Sequence, residues 1–167
     1  MSATVQINEF NTVSETKTGS ITNTNMGSTD AVDLDPVAYP VVPGENTFEK
    51  WQKIEVTAMG GSSAIDNLKI WRTSALGGSA VHVTNARETT YGGDTSFATP
   101  TVSSSSVATE TMPDSEPTDA NLGIGGSLTG SLAAAGDSDY LIHQIQTNVA
   151  DVAGSTSTMN FQYDETA

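Results

Sequence analysis

His82 and His143 are the only imidazoles in the chain. Each stands mid-strand between apolar neighbours, in "AVHVT" and "LIHQI". Imidazole could bring proton transfer near neutral pH or ligation of a metal. Neither histidine lies in an HExxH or HxxE pattern, so both read as structural or surface groups. Carboxylates gather at Asp30, Asp33 and Asp35, at Asp137 and Asp139, and at Asp164 and Glu165. Oxygen ligands of this kind suit calcium, but the twelve-residue loop order of an EF-hand is absent, and the clusters read as solvated acidic turns. Paired acids for glycoside hydrolysis could come from distant positions. Aromatic platforms would be expected beside them, and aromatic residues make up only 6% of the chain. "GIGGSLTG" lacks both the GxGxxG spacing and the lysine of a phosphate loop, and "GSLTG" places its serine one position too early for a nucleophile elbow. With no cysteine, disulfides, thiolate catalysis and cysteine-based zinc sites are excluded. The expectation is a protein without catalysis, cofactor or metal.

Charge points to contact with other molecules. The formal net charge is −14, which argues against direct binding of nucleic acid, where cations must displace counterions from phosphates. Of six basic residues, Lys50, Lys53, Lys69 and Arg72 fall within 50–72, beside only Glu55 and Asp66. That segment is net +2, leaving −16 on the remainder. Lys50, Lys53, Lys69 and Arg72, with Trp51 and Trp71 as apolar anchors, form the candidate docking strip for an acidic partner, a second copy of the chain included. The other reading is two solvated strand faces. No run approaches 18 apolar residues, and "MSATVQINEF" has neither a basic nor an apolar signal region, so synthesis in the cytoplasm is expected and no membrane partner.

Strands must position these groups. "TVQINEF" alternates as a first strand, and Ile21 suggests a weak edge strand in a Thr-rich stretch. Pro36, Pro40 and Pro43 make 33–44 an extended edge segment. In "NTFEKWQKIEVTAMGG", Phe48, Ile54, Val56 and Ala58 share one face. Trp51 has the opposite parity, requiring either a bulge or a place under a loop. "DNLKIWR" sets Leu68 and Ile70 against Lys69 and Trp71, with "GGSSAI" as the reversal between these two strands. "AVHVT" gives another strand. Residues 85–127 read as a loop-rich insertion with short strands near 97–102 and 107–112. "DYLIHQIQTNV" and "TMNFQYDE" read as a closing hairpin around "ADVAGSTS", with Met159, Phe161 and Tyr163 facing inward. No segment carries capped, sustained helical periodicity. The fold expected is all-β: an antiparallel β-sandwich or jelly roll of about seven to eight strands with long polar loops. It occupies 1–167 as one domain, with 1–47 as an extended arm or edge region. Hydrophobic content of 36% implies a thin core, supplemented by burial against neighbouring subunits.

In order, "VQINEFN", "VVPGENTFEKWQKIEV", "IDNLKIWRT" and "GDSDYLIHQIQTNVADVAGSTSTMNFQYDE" resemble small virion structural proteins of tailed bacteriophages, of the capsid decoration or cement type. These pieces cover about half the chain, and 85–127 lies outside them. The resemblance implies a β-rich fold, no catalysis and attachment to an icosahedral shell. The expected partners are the major capsid protein and copies of the chain itself, as a homo-oligomer such as a trimer, located on the virion surface. It carries over no functional residues position by position. Segments 1–8 and 36–43 are natural arms for reaching neighbours. The competing reading is a carbohydrate- or receptor-binding sandwich of a tail, fibre or cell surface. There Trp51, Trp71 or Tyr91 would stack on sugars and acidic loops would hold calcium. A hydrolase on a jelly-roll scaffold is a third, without a motif.

Overall fold

The computed structural model describes residues 2–92, 108–152 and 154–167. These form an all-β, sandwich-like fold of nine strands, with no helix among the described residues. The strands are β1 (Thr4–Asn11), β2 (Thr16–Thr18), β3 (Lys50–Ala58), β4 (Ala64–Arg72), β5 (Val81–Glu88), β6 (Glu110–Thr111), β7 (Gly136–Asp137), β8 (Tyr140–Gln146) and β9 (Met159–Thr166). The larger sheet runs β2-β1-β3-β8-β5-β6, with β7 also on β3, and the smaller is β4-β9. Every pairing is antiparallel.

Alternation along the large sheet explains both of its faces. Ile54 and Val56 of β3, Ala86 of β5 and Leu141 of β8 join Ile65, Leu68 and Ile70 of β4 in the core between the sheets. Trp51, Val83, Tyr140 and Ile142 have the other parity and form a second cluster with Phe10 and Ala108. Trp51 therefore needs no bulge in its own strand; it belongs to a core on the opposite face. Its ring stands edge-on to Tyr140 and Tyr91 at centroid distances of 5.4 and 5.1 Å. A bulge does occur in β4. Pairing with β9 shifts between Asp66 and Lys69, and Asn67 takes φ 50°, a left-handed conformation that asparagine tolerates well. The shift turns both Ile65 and Leu68 inward, where strict alternation would point one of them out.

The structure corrects four sequence expectations. "GGSSAI" is not a hairpin turn between β3 and β4, because it carries the chain from one sheet to the other. Likewise β8 and β9 are not a hairpin: β8 inserts between β3 and β5, while β9 pairs β4 in register Ile70↔Phe161. Residues 36–43 are turns and loop, and the weak strand near Ile21 is replaced by β2, although Ile21 N still donates to Ile7 O at 3.0 Å. Met159, Phe161 and Tyr163 do pack against the inter-sheet core, half-buried. The short strand expected within 107–112 is β6; the one near 97–102 lies outside the described residues. No helix among the described residues is long and apolar enough to cross a membrane.

The second edge of β4 is closed by loops. Asn121 accepts from Ile70 N and donates to Ile70 O, both at 2.8 Å, and Leu132 exchanges two backbone bonds with Ile65. A side chain and a loop thus supply the ladder that a further strand would have made.

Candidate functional site

Beyond Ile54 and Leu141, the face of the large sheet that meets the small one turns polar. Gln52 and Lys50 continue β3, His143 continues β8, and all three are buried. Lys50 donates to Glu9 Oε1 at 2.6 Å and also to the carbonyl of Ala31. Asn11 donates to the same Glu9 oxygen at 3.0 Å. Beside this pair runs a chain of neutral groups. Gln52 Nε2 donates to Thr24 Oγ1 at 3.1 Å, so its carbonyl oxygen faces His143 Nε2, also at 3.1 Å. A carbonyl only accepts, which places the His143 proton on Nε2 and leaves Nδ1 to accept from His82 Nε2 at 2.9 Å. Burial first, and the nearby Arg72 charge second, pull the His82 pKa from 6.5 to about 4. Burial pushes His143 well below its ordinary value, with His82 and Lys50 adding to it. Both imidazoles are neutral near pH 7.

Arg72 closes this polar region from the small sheet. It has the parity of Leu68 and Ile70, so its side chain enters from the end of β4, and it is only 6% exposed. Among the described residues its Nε and Nη1 have no hydrogen-bond partner. A buried donor left unmade costs about 1–3 kcal/mol, more when charged.

A cleft of about 340 Å³ opens over this floor, its lining including the buried Arg72, His82 and His143 and the half-buried Ile145. Its walls include Pro36, Pro40, Val41, Pro43, Leu76 and Val152. Two loops build the rim. Gly44 N donates to Thr147 Oγ1 at 2.9 Å, and Thr147 N to Glu45 O at 3.3 Å, tying 36–45 to 147–152. Gly44 has φ +92°, and a Cβ there would come within 2.8 Å of Val149 Cγ1, so the close approach of the loops requires glycine. Asp151 fixes the far side, accepting from Ser79 N at 2.7 Å and Asn148 N at 2.6 Å; these bonds hold its carboxyl below the usual range. Val37 and Val152 on these loops are 87% and 81% exposed, and Tyr39, Val42 and Val149 are exposed with them.

The six residues expected to dock a partner do not share an exposed face. Lys50, Trp51, Lys69 and Arg72 are buried, and the strip is divided between two sheets. Lys69 lies 3.8 Å from Glu116. Lys53, half-buried, holds its ammonium 4.0 Å from the Tyr140 ring centroid. Trp71 is half-buried on the outer side of β4. Trp51, within its aromatic cluster, offers no open ring face to a sugar. The acidic clusters serve as turn acceptors: Asp30 takes Thr12 N, Asp35 takes Val37 N, and Asp139 takes Gly126 N. Among the described residues, no three histidine or carboxylate side chains converge as a metal site would need.

Comparison with family models, with curated proteins and with solved structures finds no match. The site is therefore read from its own geometry. Sequence reasoning missed the Gln52–His143–His82 chain and the unpartnered guanidinium. The signal for the first was present, since both histidines sit between residues that a strand buries. For the second there was none, because a partner's absence shows only in three dimensions.

Proposed function

We propose that the chain is a virion structural protein that decorates or cements an icosahedral bacteriophage capsid. It binds major capsid subunits and copies of itself non-covalently, and has no catalytic role. The observation that carries this reading is the apolar rim formed by 36–45 and 147–152, where five large hydrophobic side chains stand exposed on two interlocked loops. Clustered exposed apolar side chains mark contact surfaces more often than chance. The rim includes the proline-bearing segment expected to reach a neighbour, although it does so as a loop. The resemblance names the class of partner, and the rim gives the means of contact. The net charge of −14 suits display in many copies, where like charge keeps particles apart.

Of the three aromatics that the sugar-binding alternative would use, Trp51 is buried, while Trp71 and Tyr91 are half-buried. Quantitative mass spectrometry of purified particles tests the proposal. A copy number comparable to that of the shell protein supports decoration. A few copies per particle would move the chain to the tail or portal, and absence from particles would overturn the reading. If the rim is the contact, Val37→Asp with Val152→Asp should lower occupancy by about tenfold or more while leaving the fold intact, because both side chains already face water.

A further inference from the structure

Among the described residues that line the cleft, Arg72 is a buried cation whose charge neither the fold nor the contact rim uses. Lys50 and Lys69 show how this protein buries a cation elsewhere: each has a carboxylate, Glu9 at 2.6 Å and Glu116 at 3.8 Å. Arg72, equally buried, has no ion pair among the described residues. The chain holds twenty acidic residues. The one lining the cleft, Asp151, is engaged by Ser79 and Asn148. The neighbouring histidines bond to one another and to Gln52, so they do not neutralise the guanidinium.

We propose that the cleft is a receptor for a monocarboxylate carried on an apolar stem. The carboxylate accepts hydrogen bonds from the guanidinium of Arg72, whose Nε and Nη1 are buried without a partner among the described residues, and the stem lies against Pro40, Val41, Ile145 and Val152. One cation in the lining matches a single negative charge better than the two of a phosphate, and the apolar part of the wall, Pro36, Pro40, Val41, Pro43, Leu76 and Val152, suits the stem. The volume of about 340 Å³ falls in the range of small-ligand sites. Arg72 contributes to the low pKa of His82, with Lys50 and His143 the other titrating or charged neighbours of the imidazole pair. A bound carboxylate offsets the Arg72 charge, so the His82 titration should move upward from about 4 on binding. The carboxylate could belong to a free organic acid or to an acidic side chain of a protein segment. The proposal stands whether or not the chain is a capsid protein.

NMR titration of the full chain tests it, following the Arg72 Nε–H and His82 signals with hexanoate, neutral hexanamide, inorganic phosphate and the blocked peptide acetyl-Val-Glu-Val-amide. Saturable shifts with hexanoate or the peptide, at least about tenfold tighter than hexanamide, are expected. The tighter of the two identifies the source of the carboxylate. Arg72→Met should remove the response while β-sheet signals remain. If that variant fails to fold, the acid-against-amide comparison on the unaltered chain still decides. Equal binding of hexanamide, phosphate binding as tight as hexanoate, or no saturable shift from either carboxylate would overturn the proposal.

Discussion

The two ends of the inter-sheet space are built from the same strands and hold opposite chemistry. At one end, Ile54, Val56, Leu141, Ile65, Leu68 and Ile70 make a dry core. At the other, the same strands supply Lys50, Gln52, His143 and Arg72. The apolar end gains about 25 cal/mol per Å² of surface removed from water. The polar end gains little net, since burying the Lys50–Glu9 pair costs several kcal/mol in desolvation that its attraction must offset. A fold selected for stability alone would extend the apolar pattern to the strand ends. That it changes where the cleft opens is why the cleft is the candidate site.

The largest expected effect comes from breaking the buried ion pair. Lys50→Met leaves Glu9 buried with only Asn11 as a side-chain partner and should cost about 3–5 kcal/mol by urea unfolding. Glu9→Gln should cost a similar amount by stranding the ammonium. The double variant should be markedly more stable than the sum of the single losses implies, because neither charge remains to be stranded. If the single variants cost less than about 1 kcal/mol, the two ends would be energetically alike and the contrast would fail.

How far the sequence showed this contrast varies by residue. Alternation in "KIEVTA", "NLKIW" and "YLIHQI" identified β3, β4 and β8 and their apolar positions, since a strand's period of two is a local property. Pairing was not legible. "GGSSAI" and "ADVAGSTS" look like reversals, yet each carries the chain between sheets, which depends on non-local contacts. Trp51 was readable as out of phase with Ile54, but the second core that receives it draws on Phe10, Tyr140 and Val83 from three other strands. The basic strip misled because charge normally signals exposure. Here Glu9 and Glu116, far away in sequence, take up Lys50 and Lys69.

A loss of about 3 kcal/mol should come from His82 alone as the pH falls from 6.5 to 4. His82 binds its proton near 6.5 in the unfolded chain and near 4 when folded. Above 6.5 neither state is protonated, and stability does not depend on this group. Between 6.5 and 4 the unfolded chain takes up a proton that the folded one refuses, so stability falls as pH falls. His143 acts in the same direction. Glu55 and Asp151, held below the usual carboxylate values mainly by hydrogen bonds, add losses only at the acid end of this window and below it. Unfolding free energies measured from pH 7 to pH 4.5 should decline, and His82→Gln should flatten that decline. A flat profile in the unaltered chain would mean the pair is not buried neutral, and the polar end would be wetter than its burial implies.

The smallest effect sharpens the comparison from outside the core. Lys17 and Glu55 lie 2.9 Å apart, almost as close as Lys50 and Glu9 at 2.6 Å, but the Lys17 side chain is 41% exposed. Gln6 and Asn8 also donate to the Glu55 carboxylate, each at 2.7 Å, so removing the lysine leaves no unsatisfied charge. Water already screens the attraction, and fixing two flexible side chains offsets much of what remains. Lys17→Ala should therefore cost about 0.5 kcal/mol, less at high salt. The ratio of this loss to that of Lys50→Met compares an exposed pair whose carboxylate keeps two other donors with a buried pair whose carboxylate keeps one, at nearly the same separation. Equal losses would mean that distance, not exclusion from water, governs both pairs, and the special status of the polar end would disappear.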